Sequence, residues 1–328
     1  MPKDEFEWIR QHTPQRHFQK SLIEGIGDDA AVFASETEYN QLLCVDTMIE
    51  NVHFKKKTMS PEDIGYKALA VNLSDIAAMG GIPVFYMVSI AVPGTWSDDE
   101  LKGIYNGITD LGAFYQIDMI GGDTVSSPHE LMISVTVYGK VEHNASLLRG
   151  NAKPGDYVFL TSATGRSAAG LDILLNKGRL SDFNEKEKVL INHHQRPKPK
   201  IIAGRTALKL QARIALNDIS DGLASETFEI AEASGTSIEL FKNQIPVAEE
   251  LLLFSENKYW QWILYGGEDF EIVGTVSESD WLKLQEAMKR EGIVLYKIGR
   301  VKEGHPSVTL IDGEKKESLQ KQGYNHFR

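Results

Sequence analysis

Cysteine is almost missing: Cys44 is the single example in 328 residues, so no internal disulfide can form and the stapled architecture of small secreted domains is excluded. Long apolar runs are absent as well, and nothing approaches the about twenty consecutive apolar residues of a membrane-spanning helix. The opening stretch MPKDEFEWIRQHTPQRHF is charged throughout and lacks the apolar segment of a signal peptide, which together with the lone cysteine predicts a cytoplasmic protein. Positive charge is in short supply: 35 Lys and Arg face 46 Asp and Glu, a formal net charge of −11. Neither nucleic acid nor an anionic membrane is an expected partner, since both need a basic face. A chain of this charge that binds phosphates is expected to use metal ions to do so. Also missing are C-x-x-C and H-E-x-x-H metal motifs, the catalytic loop and D-F-G of protein kinases, and any low-complexity segment.

What is present reads as α/β, or α+β, in two halves. The length exceeds one typical domain, and the glycines and proline of LLRGNAKPGDYVFLT mark a break, giving domains 1–148 and 149–328. In the first, QLLCVDT and VFYMVSIAVP predict strands. SPEDIGYKALAVNLSDIAAMGG predicts a helix capped by Ser60, with Pro61 at its first position and Ile64, Leu69, Leu73 and Ile76 facing the core. SDDELKGIYNGITDLGAFY predicts a helix opened by a Ser97–Glu100 capping box. Strands IDMI and LMISVTVYGKV bracket GGDTVSS, read as a loop. In the second half, helices are expected at GRSAAGLDILLNKG, at the polar stretch ending HHQRPKP, and at KIIAGRTALKLQA; exposure is expected for His193 and His194. IALND then leads into ISDGLASETFEIAEASG, a turn followed by a helix, and VTLIDGEKKES predicts a hairpin turning at Asp312 and Gly313.

One stretch poses a chemical problem. GIGDDAAVF begins like a dinucleotide-binding loop, with Gly25, Gly27 and Ala30 in G-x-G-x-x-A and Asp46 about twenty residues on. Yet Asp28 and Asp29 follow the second glycine, where they would repel a bare pyrophosphate. No helix follows either, because AAVFASETEYNQLLCVD reads as strand, polar turn, strand. TSATGRSAAG is not a P-loop, having Arg166 in place of lysine and Leu160 in place of the first glycine.

Acids recur instead at strand ends beside glycines or hydroxyl residues: Asp28 and Asp29, Asp46 with Thr47, Asp123 with Thr124, Asp218 and Asp221 around Ser220, Glu268 with Asp269. Asp, Asn, Ser and Gly also populate turns and caps for local reasons. Asp75 is different, because it sits in an otherwise apolar helix where a carboxylate loses solvation without compensation. Oxygen ligands held on rigid elements suit a hard cation such as Mg²⁺. On this reading the acids of GIGDDAAVF serve a metal site.

In order, GIGDDAAVF, VDTMIENVHF, YKALAVNLSDIAAMGGIP, IGGDT, NDISDGLAS and GGEDFE, with a terminal GYNHF, resemble the thiamine-monophosphate kinases over nearly the whole chain. That family belongs to a wider ATP-binding superfamily with aminoimidazole ribonucleotide synthetase, selenophosphate synthetase and a hydrogenase-maturation protein. The resemblance implies a two-domain fold of the aminoimidazole ribonucleotide synthetase type, the N-terminal domain carrying a mixed sheet that pairs in a homodimer. It implies Mg²⁺ ligation by Asp29, Asp46, Thr47, Asp75, Asp123, Asp218 and Asp221, with Asp75, Asp123 and Asp221 the catalytic acids. ATP contacts fall on Gly122, Asp123, Arg149 and Ser220, and thiamine monophosphate contacts on His53, Glu268 and Tyr324. Cys44 and Val45 stand where some relatives have hydroxyl residues, leaving only backbone carbonyls for ligation there. Two rivals remain open from the sequence: another ATP-dependent synthetase of the superfamily, and a nucleotide-binding protein without catalysis.

Overall fold

The computed structural model describes residues 16–24 and 32–322. Asp28, Asp29 and Tyr324, each a sequence-stretch of interest, lie outside the described residues. The chain divides into two compact units, the first comprising Met1–Ile76, Ile82–His143 and Lys177–Ser181, the second Ala77–Gly81, Asn144–Asn176 and Asp182–Arg328.

The first unit carries a short antiparallel pair, β1 (Leu22–Glu24) with β2 (Val32–Phe33), followed by β3 (Tyr39–Ile49), α1 (Pro61–Ala78), β4 (Ile82–Pro93), α2 (Asp98–Tyr115), β5 (Asp118–Ser127) and β6 (Met132–Glu142). Helix α1 begins where a local signal places it, for the Ser60 hydroxyl accepts the Asp63 N–H and donates to the Asp63 carboxylate. The reciprocal Ser97–Glu100 box opens α2 as expected. Ile64, Leu69, Leu73 and Ile76 are all buried. The two helices cross at backbone contact: a Cβ on Gly65 would lie 1.8 Å from the Ile104 carbonyl oxygen, and one on Gly107 1.9 Å from that of Glu62. Only glycine fits at that crossing.

The four long strands form a sheet in the order β3-β6-β4-β5, with β4 and β5 parallel and the other pairs antiparallel. GGDTVSS is therefore strand, not loop: Gly121 to Ser127 pair with Met87 to Pro93. Gly122 permits this pairing, since a Cβ there would meet the Val88 carbonyl oxygen at 2.1 Å. Because strand side chains alternate, the register sorts residues into two faces. Cys44, Asp46, Val135, Val88, Gly122 and Thr124 share the helix-covered face. Thr47, Ser134, Ser89 and Asp123 form one row across the other.

In the second unit β7 (Tyr157–Leu160), α3 (Arg166–Lys177), α4 (Glu185–Gln195), α5 (Ile201–Lys209), β8 (Ile214–Asp218), α6 (Leu223–Ser234), β9 (Ser237–Phe241), α7 (Glu256–Tyr265), β10 (Ile272–Val276), α8 (Trp281–Arg290), β11 (Tyr296–Lys302), β12 (Ser307–Asp312) and β13 (Lys315–Leu319) follow in turn. Their seven-stranded sheet runs β13-β12-β9-β11-β7-β10-β8, antiparallel except where β12 lies parallel to β9. Val158, Leu160, Ile173, Ala215, Ile230 and Ile298 belong to its core. The hairpin turns at Asp312 and Gly313 as expected, Gly313 adopting φ 63°. Among the described residues no helix is long and apolar enough to cross a membrane.

Candidate functional site

In the first unit the strongest feature is a pair of acids. Asp46 projects from β3 to the face covered by α1, whose half-buried Asp75 hydrogen-bonds to it. Burial raises the Asp46 pKa, and the Asp75 hydrogen bond pulls it back. Two carboxylates in direct contact must share a proton or a cation. Cys44 lies beside them with its Sγ donating to the Asn72 carbonyl at 3.4 Å. Burial first, then the charges of Asp75 and Asp46, push that thiol's pKa up, which favours the protonated thiol over the thiolate. The side-chain oxygen of the buried Asn72, one turn before Asp75, accepts no hydrogen bond. Hard, under-satisfied oxygens suit a divalent cation.

Thr47 and Asp123 stand on the opposite face from Asp46, at the two edge strands of the row Thr47–Ser134–Ser89–Asp123. The Thr47 hydroxyl donates to Ser134 Oγ at 3.0 Å. Gly122 and Thr124 return to the covered face, where Tyr105 of α2 hydrogen-bonds to Thr124. Burial pushes the Tyr105 pKa up to about 12, the Thr124 bond opposing it. His53 accepts the Ile49 N–H on Nδ1 at 3.0 Å, which places the proton of the neutral ring on Nε2.

The second unit gathers the NDISDG and GGEDFE segments. Gly222 (φ 101°) separates Asp221 from α6, in a space where a Cβ would meet the Tyr265 carbonyl carbon at 2.8 Å. The two segments are laced by backbone bonds: Glu268 N–H to the Ser220 carbonyl at 2.7 Å, Phe270 N–H to Ile219 at 2.9 Å, and Ile219 N–H to Glu271 at 2.7 Å. Glu268 and Phe270 hold positive φ of 65° and 50°, conformations that side-chain-bearing residues seldom adopt. Arg149 donates through Nε to Asn217 Oδ1 at 2.9 Å and pairs with Glu229 at 3.2 Å.

Two buried acids of this unit, Glu226 and Glu271, are not singled out by the sequence, and a third, Asp269, is marked there only as a strand-end acid beside Glu268. Glu226 of α6 accepts from Asn217, Ser220 and the Asp221 backbone; burial and then the Asp218 charge push its pKa up to about 7. Glu271 accepts from the Thr161 hydroxyl at 2.7 Å and pairs with Lys200 at 2.8 Å. Asp269 accepts the Gly165 and Ser167 N–H groups at 2.5 and 3.0 Å, so a carboxylate of the chain itself fills the start of α3. That contact gives the structural reason why TSATGRS is no phosphate loop. His194 corrects the expectation of exposure. It is 1% exposed, with Nδ1 at 3.2 Å from Ser167 Oγ and 3.5 Å from the Glu268 carboxylate.

Burial raises the Asp269 pKa from 3.8 to about 7, against the pull of its two backbone donors. The folded protein thus binds this proton more tightly than the unfolded chain, so the group's contribution to stability is full below pH 3.8 and is lost as pH rises toward about 7. The gap in melting temperature between wild type and Asp269→Asn is expected to narrow from pH 5 to pH 8. Thermal melts of both proteins at the two pH values check the sign.

Among the described residues no three His, Cys, Asp or Glu side chains gather as a metal site. Asp46 and Asp75 meet in one unit, Asp123 stands across that unit's sheet, Asp218 and Asp221 belong to the other unit, and Asp29 lies outside the described residues.

Comparison with known proteins agrees with this arrangement of elements. Residues 27–141 match the AIR synthase related protein N-terminal domain and residues 153–311 its C-terminal domain. The thiamine-monophosphate kinase of Bacillus subtilis (strain 168) is 46% identical over 326 residues, 99% of this chain and 100% of that protein. The crystal structure of thiamine-monophosphate kinase from Stenotrophomonas maltophilia K279a superposes with a TM-score of 0.84 at 29% identity, covering 94% of this chain and 95% of that one. The structure of AaThiL complexed with AMPPCP and TMP gives 0.78 at 31%, covering 94% and 93%. With full-length identity of this order and both domains matched, the chain belongs to the thiamine-monophosphate kinase family, enzymes built on the two-domain AIR synthase related fold.

Proposed function

We propose that the protein transfers the γ-phosphoryl group of ATP to the phosphate of thiamine monophosphate, giving thiamine diphosphate and ADP, by direct in-line displacement with no phosphoenzyme. The full-length match to thiamine-monophosphate kinases carries this reading. A relative complexed with AMPPCP, an analogue of ATP, and TMP supports two substrate sites on such a chain.

The acceptor is a phosphate with a second pKa of about 6, already largely ionised at neutral pH, so no general base is required. The obstacle is charge, since a pair of unit charges at about 4 Å costs on the order of 4 kcal/mol at an effective dielectric near 20. Asp29, Asp46, Thr47, Asp75, Asp123, Asp218 and Asp221 are the residues that would hold Mg²⁺. The Asp46–Asp75 contact supports this, because a cation would relieve two carboxylates that otherwise share a proton. Mg²⁺ bound there supplies neutralisation and orientation of the phosphates. Asp75, Asp123 and Asp221 act as the catalytic acids through that ligation. Arg149 clamps the nucleotide phosphates, Gly122, Asp123 and Ser220 contact the nucleotide, and His53, Glu268 and Tyr324 lie against thiamine monophosphate. Glu268 is chemically apt for a cationic thiazolium, and its backbone bond to Ser220 ties acceptor recognition to the nucleotide loop. A cytoplasmic homodimer is the working state.

The test is ADP release by the purified protein with ATP and Mg²⁺, with and without thiamine monophosphate, with the thiamine product identified by chromatography. Acceptor-dependent ADP matched one for one by thiamine diphosphate is the expected result. Silence with this acceptor, in folded protein that still binds Mg²⁺-ATP, overturns the reading and favours another substrate of the superfamily or a non-catalytic nucleotide-binding role. A phosphorylated Asp or His trapped during turnover overturns direct transfer.

A further inference from the structure

We infer that Glu226 is a positioning residue whose carboxylate sets the direction of a buried hydrogen-bond chain running from Arg149 to the Asp221 backbone, and so aims the nucleotide-binding groups of this unit. The inference rests on the roles proposed above for Arg149 and Ser220.

The chain has a fixed polarity. A guanidinium can only donate, so the Asn217 amide must turn its oxygen to Arg149 Nε, at 2.9 Å. Its nitrogen then faces the other way, donating to Glu226 Oε2 at 2.5 Å and toward the Glu226 carbonyl at 3.4 Å. Glu226 Oε1 in turn accepts from Ser220 Oγ at 3.2 Å and from the Asp221 N–H at 3.0 Å. Three donors therefore converge on two oxygens, a demand that a carboxylate meets and an amide does not. Asn217 and Glu226 are only 1% and 4% exposed, so water does not stand in for a missing acceptor. Glu226 also sits in the first turn of α6, one turn beyond the loop it holds. Its hydrogen bonds fix three things together: the Asn217 amide that orients Arg149, the Ser220 hydroxyl, and the turn that presents Asp221.

Glu226→Gln separates shape from polarity. A glutamine must point its NH₂ either at the Asn217 NH₂ or at the Asp221 N–H, and each choice sets two donors face to face. If the Asn217 amide flips to escape the first clash, its own NH₂ meets Arg149. The double substitution Asn217→Asp with Glu226→Gln removes the conflict at unchanged net charge. Residue 217 then accepts from both Arg149 and the new amide, whose oxygen still serves Ser220 and Asp221.

Two readouts are needed: Mg²⁺-AMPPCP affinity by calorimetry, and the KM values for ATP and for thiamine monophosphate. Glu226→Gln should weaken Mg²⁺-AMPPCP binding and raise the ATP KM about tenfold, as expected for a lost hydrogen bond to a charged group. The KM for thiamine monophosphate should change less than about twofold. The double variant should recover to within about threefold of wild type, while Asn217→Asp alone, which buries two facing carboxylates, should not. Wild-type nucleotide affinity in Glu226→Gln, an equal rise in both KM values, or no recovery in the double variant overturns the inference. The calorimetry needs no acceptor, so a wild-type protein that binds Mg²⁺-AMPPCP but ignores thiamine monophosphate refutes the proposed reaction and not the role of Glu226.

Discussion

Asp75→Asn is expected to leave a folded protein whose turnover falls about 100-fold or more, the scale on which a single electrostatic group of a reaction site is felt. Asparagine keeps the shape of the side chain and one acceptor, and its amide can donate to Asp46 in place of the hydrogen bond that Asp75 makes there. Because the two acids contact one another on the covered face of the sheet, the substitution replaces a shared proton by a fixed amide donor in the absence of metal. The melting temperature without Mg²⁺ should therefore stay level or rise, while the Mg²⁺ concentration needed for half-maximal turnover climbs. Loss of activity with gain of stability distinguishes a functional acid from a structural one, whose removal would cost both. ADP release measured across a magnesium titration, beside melts in chelator, reads the two quantities. Turnover close to wild type in the folded variant would remove Asp75 from the site.

The legibility of that acid from the sequence has a physical cause. A carboxylate in the apolar run of α1 breaks the helix's own pattern, and local signals at Ser60, Ser97 and Gly313 mark their elements because capping and turn chemistry act within a few residues. Non-local pairing was harder to read. The glycines of GGDTVSS suggest a loop, yet β4 lies alongside and requires Gly122 to be bare. The same pairing sends Asp123 to one face and Gly122 to the other, which a grouping by sequence adjacency hides. His194 sits in the polar run EKEKVLINHHQ, and only its partners Ser167 and Glu268, one of them 27 residues away, explain its burial. Asp269 reaches back 104 residues to Gly165. Glu226 was within reach of reading: five and six residues beyond Asp221 and Ser220, on the inner side of α6, it is placed to fold back on the loop.

Val45→Asp is expected to break the homodimer proposed for this chain into monomers and to lower turnover at least tenfold. The open face of the four-stranded sheet presents Leu43, Val45, Met87, Val125 and Met132, exposed by 37–73%, around the polar row Thr47–Ser134–Ser89–Asp123. Large apolar side chains exposed together on one sheet face mark an interaction surface. Helices cover the other face, so a second copy of the same face is what would complete the layer on this one. Two-fold pairing repeats every contact, so a charge at residue 45 enters the interface twice. Covering a valine contributes about 1.5–3 kcal/mol, whereas an unpaired buried carboxylate costs several kcal/mol, enough to dissociate a dimer at micromolar concentration. Fold should survive, since Val45 makes no part of the unit's own core and its neighbours Cys44 and Asp46 point to the opposite face. Activity should not survive intact, because Thr47 and Asp123, proposed for metal and nucleotide, occupy the face that pairing would cover. Light scattering of wild type and variant, with ADP release measured on the same samples, separates the possibilities. A variant that stays dimeric locates the interface elsewhere, and a fully active monomer shows that each copy completes its own site, so that Thr47 and Asp123 work without the partner's face over them.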